Sequence, residues 1–169
     1  MRSSRHVLAA TLLMLLVLAL VPAALASAAP SERPVSFTID PANCSDIEST
    51  VTGTGIWREV TNTRVGKDGL TYVVYTATAK GTAVDEAGTM YRFTYANHQM
   101  YAMPADGSPF EVRMTDQFNL VAAGGANQIH VGFVTIITTT SPTDFSSATF
   151  DFIDQRGYTG SGFPPCDPI

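Results

Sequence analysis

From Val35 onward the chain is a succession of short runs rich in β-branched and aromatic residues, separated by clusters of Gly, Pro, Asp and Asn, and no apolar helical period is sustained for three turns. That pattern restricts the fold to an all-β arrangement. Eight strands are predicted, at residues 35–39, 49–60, 70–82, 89–96, 99–103, 110–121, 127–139 and 147–154, and helix is confined to a single turn around 41–46. The connections are hairpin-sized: Gly66-Lys67-Asp68-Gly69, Asp85-Glu86-Ala87-Gly88, Pro104-Ala105-Asp106-Gly107, Gly124-Gly125-Ala126-Asn127 and Ser141-Pro142-Thr143-Asp144. Each contains Gly, Asp or Asn, the residues that accept turn geometry. Sequential strands joined by tight turns form an antiparallel meander. Eight of them suffice for an up-and-down, calycin-like barrel, which would remove exposed edges; a two-layer β-sandwich is the alternative.

The alternation of side chains assigns faces. Val112, Met114, Phe118 and Leu120 share one side of their strand, opposite Glu111, Arg113, Thr115, Gln117 and Asn119. One face is therefore buried and the other wet. Tyr91, Phe93 and Tyr95 likewise oppose Arg92 and Thr94. The run from Ile129 to Ile137 is apolar on both sides for part of its length, which suits an outer face used in assembly, although the oligomeric state is not specified.

The first 28 residues are of a different kind. Arg2 and Arg5 precede an uninterrupted apolar run from Val7 to Val21, and Pro22 leads into small residues ending Ala26-Ser27-Ala28. That is the form of a secretory signal peptide with an A-x-A cleavage site. The alternative, a membrane anchor, needs about 20 apolar residues, and this core is nearer 15. Cleavage after Ala28 leaves 141 of the 169 residues, which is one domain: a lead-in at 29–34 and a secreted β domain at 35–169. No Cys follows the site to accept a lipid. Loss of Arg2 and Arg5 takes the ten basic side chains to eight against fifteen acidic, a formal charge of −7. That charge repels phosphate, so nucleic acid and anionic lipid are excluded as partners.

Cys44 and Cys166 are the only cysteines, 122 residues apart, in a chain addressed to an oxidising compartment. They predict one disulfide tying the two ends of the domain, with a stabilisation of about 4 to 5 kcal/mol on the chain-entropy model. A reactive or metal-binding pair has little support, because the two lie 122 residues apart and no His sits near either Cys. Asn43-Cys44-Ser45 fits the glycosylation triplet formally.

Few residues carry chemistry. No Ser lies in a G-x-S-x-G setting, and no spacing implies a metal or a cofactor. His98 falls in a predicted turn, Tyr95-Ala96-Asn97-His98-Gln99, and His130 on the less apolar side of its strand. Asp85-Glu86 and Asp151 with Asp154 read as solvated charges. Asp116 interrupts an apolar face between Met114 and Phe118; inside a barrel it would serve as a general acid or hold a polar ligand, whereas a β-bulge at 115–117 would turn it to water.

Gly55-Ile56-Trp57, on the first long strand, resembles the G-x-W signature of lipocalins and related small-ligand barrels. The resemblance covers those three residues and one basic side chain, Arg156. It implies a Trp closing the barrel floor and Arg156 packing across it; the long mouth loop and trailing helix of that family have no counterpart in this chain. Tyr72, Tyr75, Tyr91, Tyr95, Tyr101 and Phe93 add rings that suit either a core or a pocket for a flat ligand.

The expectation is a non-catalytic protein that binds a small apolar or amphipathic ligand inside the barrel, lined by Trp57, Tyr91, Phe93 and Asp116. An extracellular or cell-envelope interaction module, such as an inhibitor of a secreted enzyme, is the alternative, and a small barrel cyclase or isomerase the third.

Overall fold

A computed structural model of the chain describes residues 26, 27, 29–42, 44–124 and 127–157. The leader up to residue 25, Ala28, Asn43 of the glycosylation triplet, Gly125-Ala126 of one predicted turn, and Cys166 lie outside the described residues.

The described residues are all β. The strands are β1 (Ala26–Ser27), β2 (Ser31–Ile39), β3 (Val51–Val65), β4 (Thr71–Asp85), β5 (Met90–Met103), β6 (Phe110–Ala122), β7 (Asn127–Thr139) and β8 (Thr149–Arg156). They make one antiparallel meander, with β1 and β2 lying one after the other along the same side of β3 and each later strand pairing with the one before it. Gly69, Gly88, Gly107 and Gly124 close four of the turns with positive φ, a conformation that costs a side-chain-bearing residue energy. The helical turn expected at 41–46 is a lone α-turn, in which the Cys44 amide donates to the Asp40 carbonyl at 3.0 Å.

Three boundaries differ from the sequence reading. The strand expected at 35–39 begins at Ser31, because β3 is long enough to pair with Ser31 through Pro34 and gives each of them a partner, with Glu32 bonded to Arg58 and Ser31 to Glu59. Strands 89–96 and 99–103 are a single strand, β5, with no turn at Asn97-His98; Asn97 pairs across to Ala77 and Asp116 and is buried. No bulge interrupts 115–117 either: the irregularity in the β6–β7 ladder falls between Leu120 and Val121, and Asp116 sits opposite Phe133 in unbroken register.

The sheet curls strongly. Phe37 on β2 lies four strand spacings from Phe118 on β6, about 19 Å in a flat sheet, yet their ring centroids are 5.6 Å apart and edge-on. Phe93 lies between them in the sheet, 4.9 Å from Phe37. Gly53, Gly55 and Gly81 supply the room. A Cβ on Gly53 would run into the Phe37 ring, and a Cβ on Gly55 or Gly81, which pair directly across β3 and β4, would run into Phe93. The concave side holds two apolar clusters. One, near Cys44 and Ile47, includes Phe37, Val51, Phe93, Phe118, Leu120 and Ile129. The other gathers Phe110, Val112, Met114, Phe133 and Ile137 beneath Phe145 and Phe152.

The closed barrel expected from the sequence is not formed. Among the described residues, β8 pairs only with β7, over Gly132–Thr138, and neither β1 nor β2 pairs with anything but β3. The final strand is too short and too irregular to close the seam. It has eight residues against thirteen in β7, and the ladder shifts between Val134 and Thr135, which leaves Ile153 without a register partner. The sandwich alternative is replaced as well, since one continuous set of ladders links all eight strands.

Candidate functional site

Between the two apolar clusters the concave face carries a polar and aromatic belt. Strand alternation puts Trp57, Glu59 and Thr61 of β3, Tyr75 and Ala77 of β4, Tyr95, Asn97 and Gln99 of β5, and Asp116 of β6 on that side, in adjoining registers. Trp57, Glu59, Tyr75, Tyr95, Asn97, Gln99 and Asp116 are tied to one another by hydrogen bonds. Asp116 is buried, and its Oδ2 accepts from the Tyr95 hydroxyl at 2.7 Å and from Asn97 Nδ2 at 2.6 Å. Asn97 Oδ1 in turn accepts from Gln99 Nε2 at 3.0 Å. Asp116 Oδ1 is buried and takes no hydrogen bond from the protein.

A second carboxylate stands on the other side of the belt. Glu59 Oε2 accepts from the Trp57 indole at 2.7 Å and from the Tyr75 hydroxyl at 3.0 Å, and Ser31 donates to Oε1. Those donors, Trp57 foremost, hold the Glu59 carboxyl below its ordinary value of 4.5, while burial and then the bond to Glu59 push the Tyr75 hydroxyl up to about 12. The indole also stacks on Tyr95, with centroids 5.3 Å apart and 24° between planes, so the two carboxylate groups are joined through Trp57 and Tyr95.

The sign of the Glu59 shift gives a test. A carboxyl whose folded value is depressed contributes stability above its ordinary value and loses it as pH falls through the lower folded value. Emission from Trp57, the single tryptophan, is therefore expected to show an acid step whose midpoint falls below 4.5. Glu59→Gln should abolish that acid step. A step centred at or above 4.5 would show that the indole does not report on a hydrogen-bonded carboxylate.

Next to the belt lies a cleft of about 290 Å³, walled by Thr61, Val73, Tyr75, Gln99 and Tyr101 from three strands and by Pro142, Thr143 and Phe145 of the β7–β8 connection. This is close to the lower end of the volumes usual for small-molecule sites, ~300 Å³. Two other clefts lie elsewhere: about 160 Å³ around Gly132, with His130, Asp154 and Arg156 at its rim, and about 610 Å³ at the open end of the β5–β6 pair, away from its turn, beside Met90 and Gly124.

The four sequence-predicted ligand residues all lie on the concave side, and the structure divides them. Trp57 and Asp116 belong to the polar belt. Phe93 is packed against Phe37 and Phe118 in the apolar cluster. Tyr91 is at the far end, where its hydroxyl donates to Asp85 and its side chain borders the cleft beside Met90 and Gly124. The cleft beside the belt is walled instead by residues the sequence reading did not single out, apart from Tyr75 and Tyr101, which it counted among the rings. Arg156 does not pack across Trp57. Its side chain is exposed and 3.6 Å from Asp154, and the cation over the indole is Arg33, 4.9 Å from the ring centroid. The strand β2 reaches Trp57 directly through the Arg33–Trp57 register, whereas Arg156 sits opposite Gly132 at the other edge. His98 is mid-strand, with Nδ1 bonded to Thr76 Oγ1 at 3.1 Å, and His130 is exposed and bonded to Asn119. Among the described residues no three His, Cys, Asp or Glu side chains gather in a form that could hold a metal ion.

Comparison of the chain with protein-family models, with curated proteins and with solved structures returns no match.

Proposed function

We propose that this is a secreted, non-catalytic binding protein that holds a small amphipathic molecule on the concave face of its sheet, in the cleft bounded by Tyr75, Gln99, Tyr101 and the β7–β8 connection. One observation carries the reading. Rings and hydrogen-bonding groups from three strands of the concave face converge on a cleft of about 290 Å³, the combination of apolar walls and few polar groups that marks ligand sites. The belt behind it fixes those groups, since Tyr75 is bonded to Glu59 and Gln99 to Asn97.

Secretion rests on the leader, and with it the bridge from Cys44 to Cys166. Cys44 is fully buried in the apolar cluster, and no free cysteine occurs among the described residues. Cleavage after Ala28 removes β1, which contributes only the pairings of Ala26 with Thr63 and Ser27 with Asn62. The intact mass of the secreted protein, starting at Ala29 and short of two hydrogens, tests both.

The binding claim is tested by saturation-transfer NMR of the secreted protein against a library of aromatic fragments, repeated with Thr61→Trp, which fills the cleft from the half-buried wall of β3. Fragments are expected to bind, and at least about tenfold more weakly to the variant, since a filled site loses its contacts outright. Binding that Thr61→Trp leaves unchanged would overturn this site.

A further inference from the structure

The larger cleft, about 610 Å³ at the open end of the β5–β6 pair, is walled by Thr82 of β4, Met90 and Arg92 of β5, Val121 of β6, and Ala123 and Gly124 just past it. Thr82, Met90, Arg92 and Val121 alternate along their strands with the buried Ala83, Tyr91 and Leu120, so they belong to the convex face, opposite the cleft at Tyr75. The volume is within the about 300 to 1,000 Å³ usual for small-molecule sites. Among the residues of this wall Arg92 is the single charged one. Lys80 is its diagonal neighbour on the same face, since Arg92 pairs with Thr82 and Lys80 with Thr94, a spacing that long side chains bridge. Both cations are exposed, and among the described residues neither enters an ion pair. Asp85 and Glu86 lie at the β4–β5 turn, beyond Met90 from Arg92 along the chain, and neither walls the cleft; Asp85 is bonded to the Tyr91 hydroxyl and the Thr89 amide. The apolar end is at Met90, which is exposed beside its register partner Val84 and bonded through its carbonyl to the Ala123 amide. The wall thus runs from cationic to apolar.

We infer that this outer cleft is a second binding site, separate from the one at Tyr75, for a free single-chain anionic amphiphile such as a fatty carboxylate or an alkyl sulfate, with its head at Arg92 and Lys80 and its chain over Met90, Val121 and Ala123. A net charge of −7 for the mature chain argues against anionic partners in general, but exposed charges are largely screened beyond about 8 Å at physiological ionic strength, so the two cations set the sign at this wall. A guanidinium has donors only and pairs with carboxylate or sulfate oxygens, whereas a cationic head is repelled. Each methylene laid over the apolar end adds to affinity. Indole has no anion to offer Arg92, so the two clefts take different ligands.

Calorimetry on the secreted mature protein tests it with decanoate, hexanoate and decyltrimethylammonium, each kept below its micelle concentration. Decanoate is expected to bind at least about tenfold more tightly than either of the others, through its charge against the ammonium and its four extra methylenes against hexanoate. Arg92→Gln, at an exposed position where substitution leaves the fold intact, should weaken decanoate about tenfold, and Ala123→Trp, which fills the apolar end, by at least as much. Two controls locate the effect. Arg113→Gln, an exposed cation of the same face opposite Met100 and outside the cleft, should leave decanoate binding unchanged, as should Thr61→Trp in the concave cleft. Equal affinity for the anionic and cationic amphiphiles, a decanoate affinity untouched by Arg92→Gln, or an equal loss with Arg113→Gln would overturn the site. A loss with Thr61→Trp instead would place the amphiphile on the concave face and overturn it as well. Binding to vesicles of phosphatidylglycerol without binding to monomeric decanoate would make this face a membrane contact and overturn the inference, while the reading of the concave cleft would stand.

Discussion

Phe118→Ala is expected to lower the unfolding free energy by about 3 to 5 kcal/mol, the range for deleting a fully buried aromatic. Phe118 is one of the most deeply buried large side chains, and it joins regions distant in the sheet: its ring meets Phe37 edge-on at 5.6 Å and stacks on Phe93 at 6.2 Å. Because Phe37 comes from the edge strand β2, the deletion removes both apolar area and the contact that holds the curl. Relaxation to fill the void is restricted by close packing of the surrounding rings. Denaturant titration measures the change; a loss under 1 kcal/mol would mean that the edge strand does not depend on this contact.

Gly81→Ala should destabilise by about 1 to 3 kcal/mol or more, although it adds a single methyl group. The new Cβ would overlap the Thr54 carbonyl oxygen and come within 2.6 Å of both Gly55 Cα and Phe93 Cε1. Two of those neighbours are backbone of the paired strand, which cannot turn aside as a side chain can. The ladder at Gly55–Gly81 would have to separate, and Phe93 with it. Gly88→Ala is the control. At Gly88 nothing lies within 4 Å of a Cβ, so its cost arises from positive φ alone. An equal loss in both variants would remove steric contact as the explanation.

Local pattern made much of this architecture legible. Val112, Met114, Phe118 and Leu120 are on the concave face as their alternation requires, and the turns at Gly69, Gly88 and Gly107 come where Gly and Asp cluster. Asn97 shows why the rest was not. Followed by His98, it reads locally as a turn, because an amide inside a strand costs energy unless it is paired. Its partner, Asp116, lies 19 residues away, and the pairing satisfies one acceptor of Asp116 while turning Asn97 inward. The same long-range pair explains why Asp116 stays on the apolar face without a bulge. Splitting β5 at Asn97 also hid Gln99, whose position on the face of Tyr95 is evident only once the strand is continuous. Trp57 was legible as an inward ring, but its cation is Arg33 rather than Arg156, and that depends on β2 starting four residues earlier than its β-branched core indicates. Closure of the sheet is likewise a property of its two edges, which no local period encodes.

The cleft itself was visible only in part. Tyr75 and Tyr101 stood out as rings, whereas Pro142, Thr143 and Phe145 come from a connection that reads as an ordinary turn and lines the cleft together with residues of β4 and β5.

Backbone amide chemical-shift mapping during titration with indole tests the central claim most directly. Concentration-dependent shifts centred on Tyr75, Gln99, Tyr101 and Phe145, with the surroundings of Gly132 and Gly88 unmoved, are the predicted result. Shifts centred instead around Gly132 or around Met90 and Gly124, or none at any concentration, would contradict a ligand site in the cleft at Tyr75, Gln99 and Tyr101.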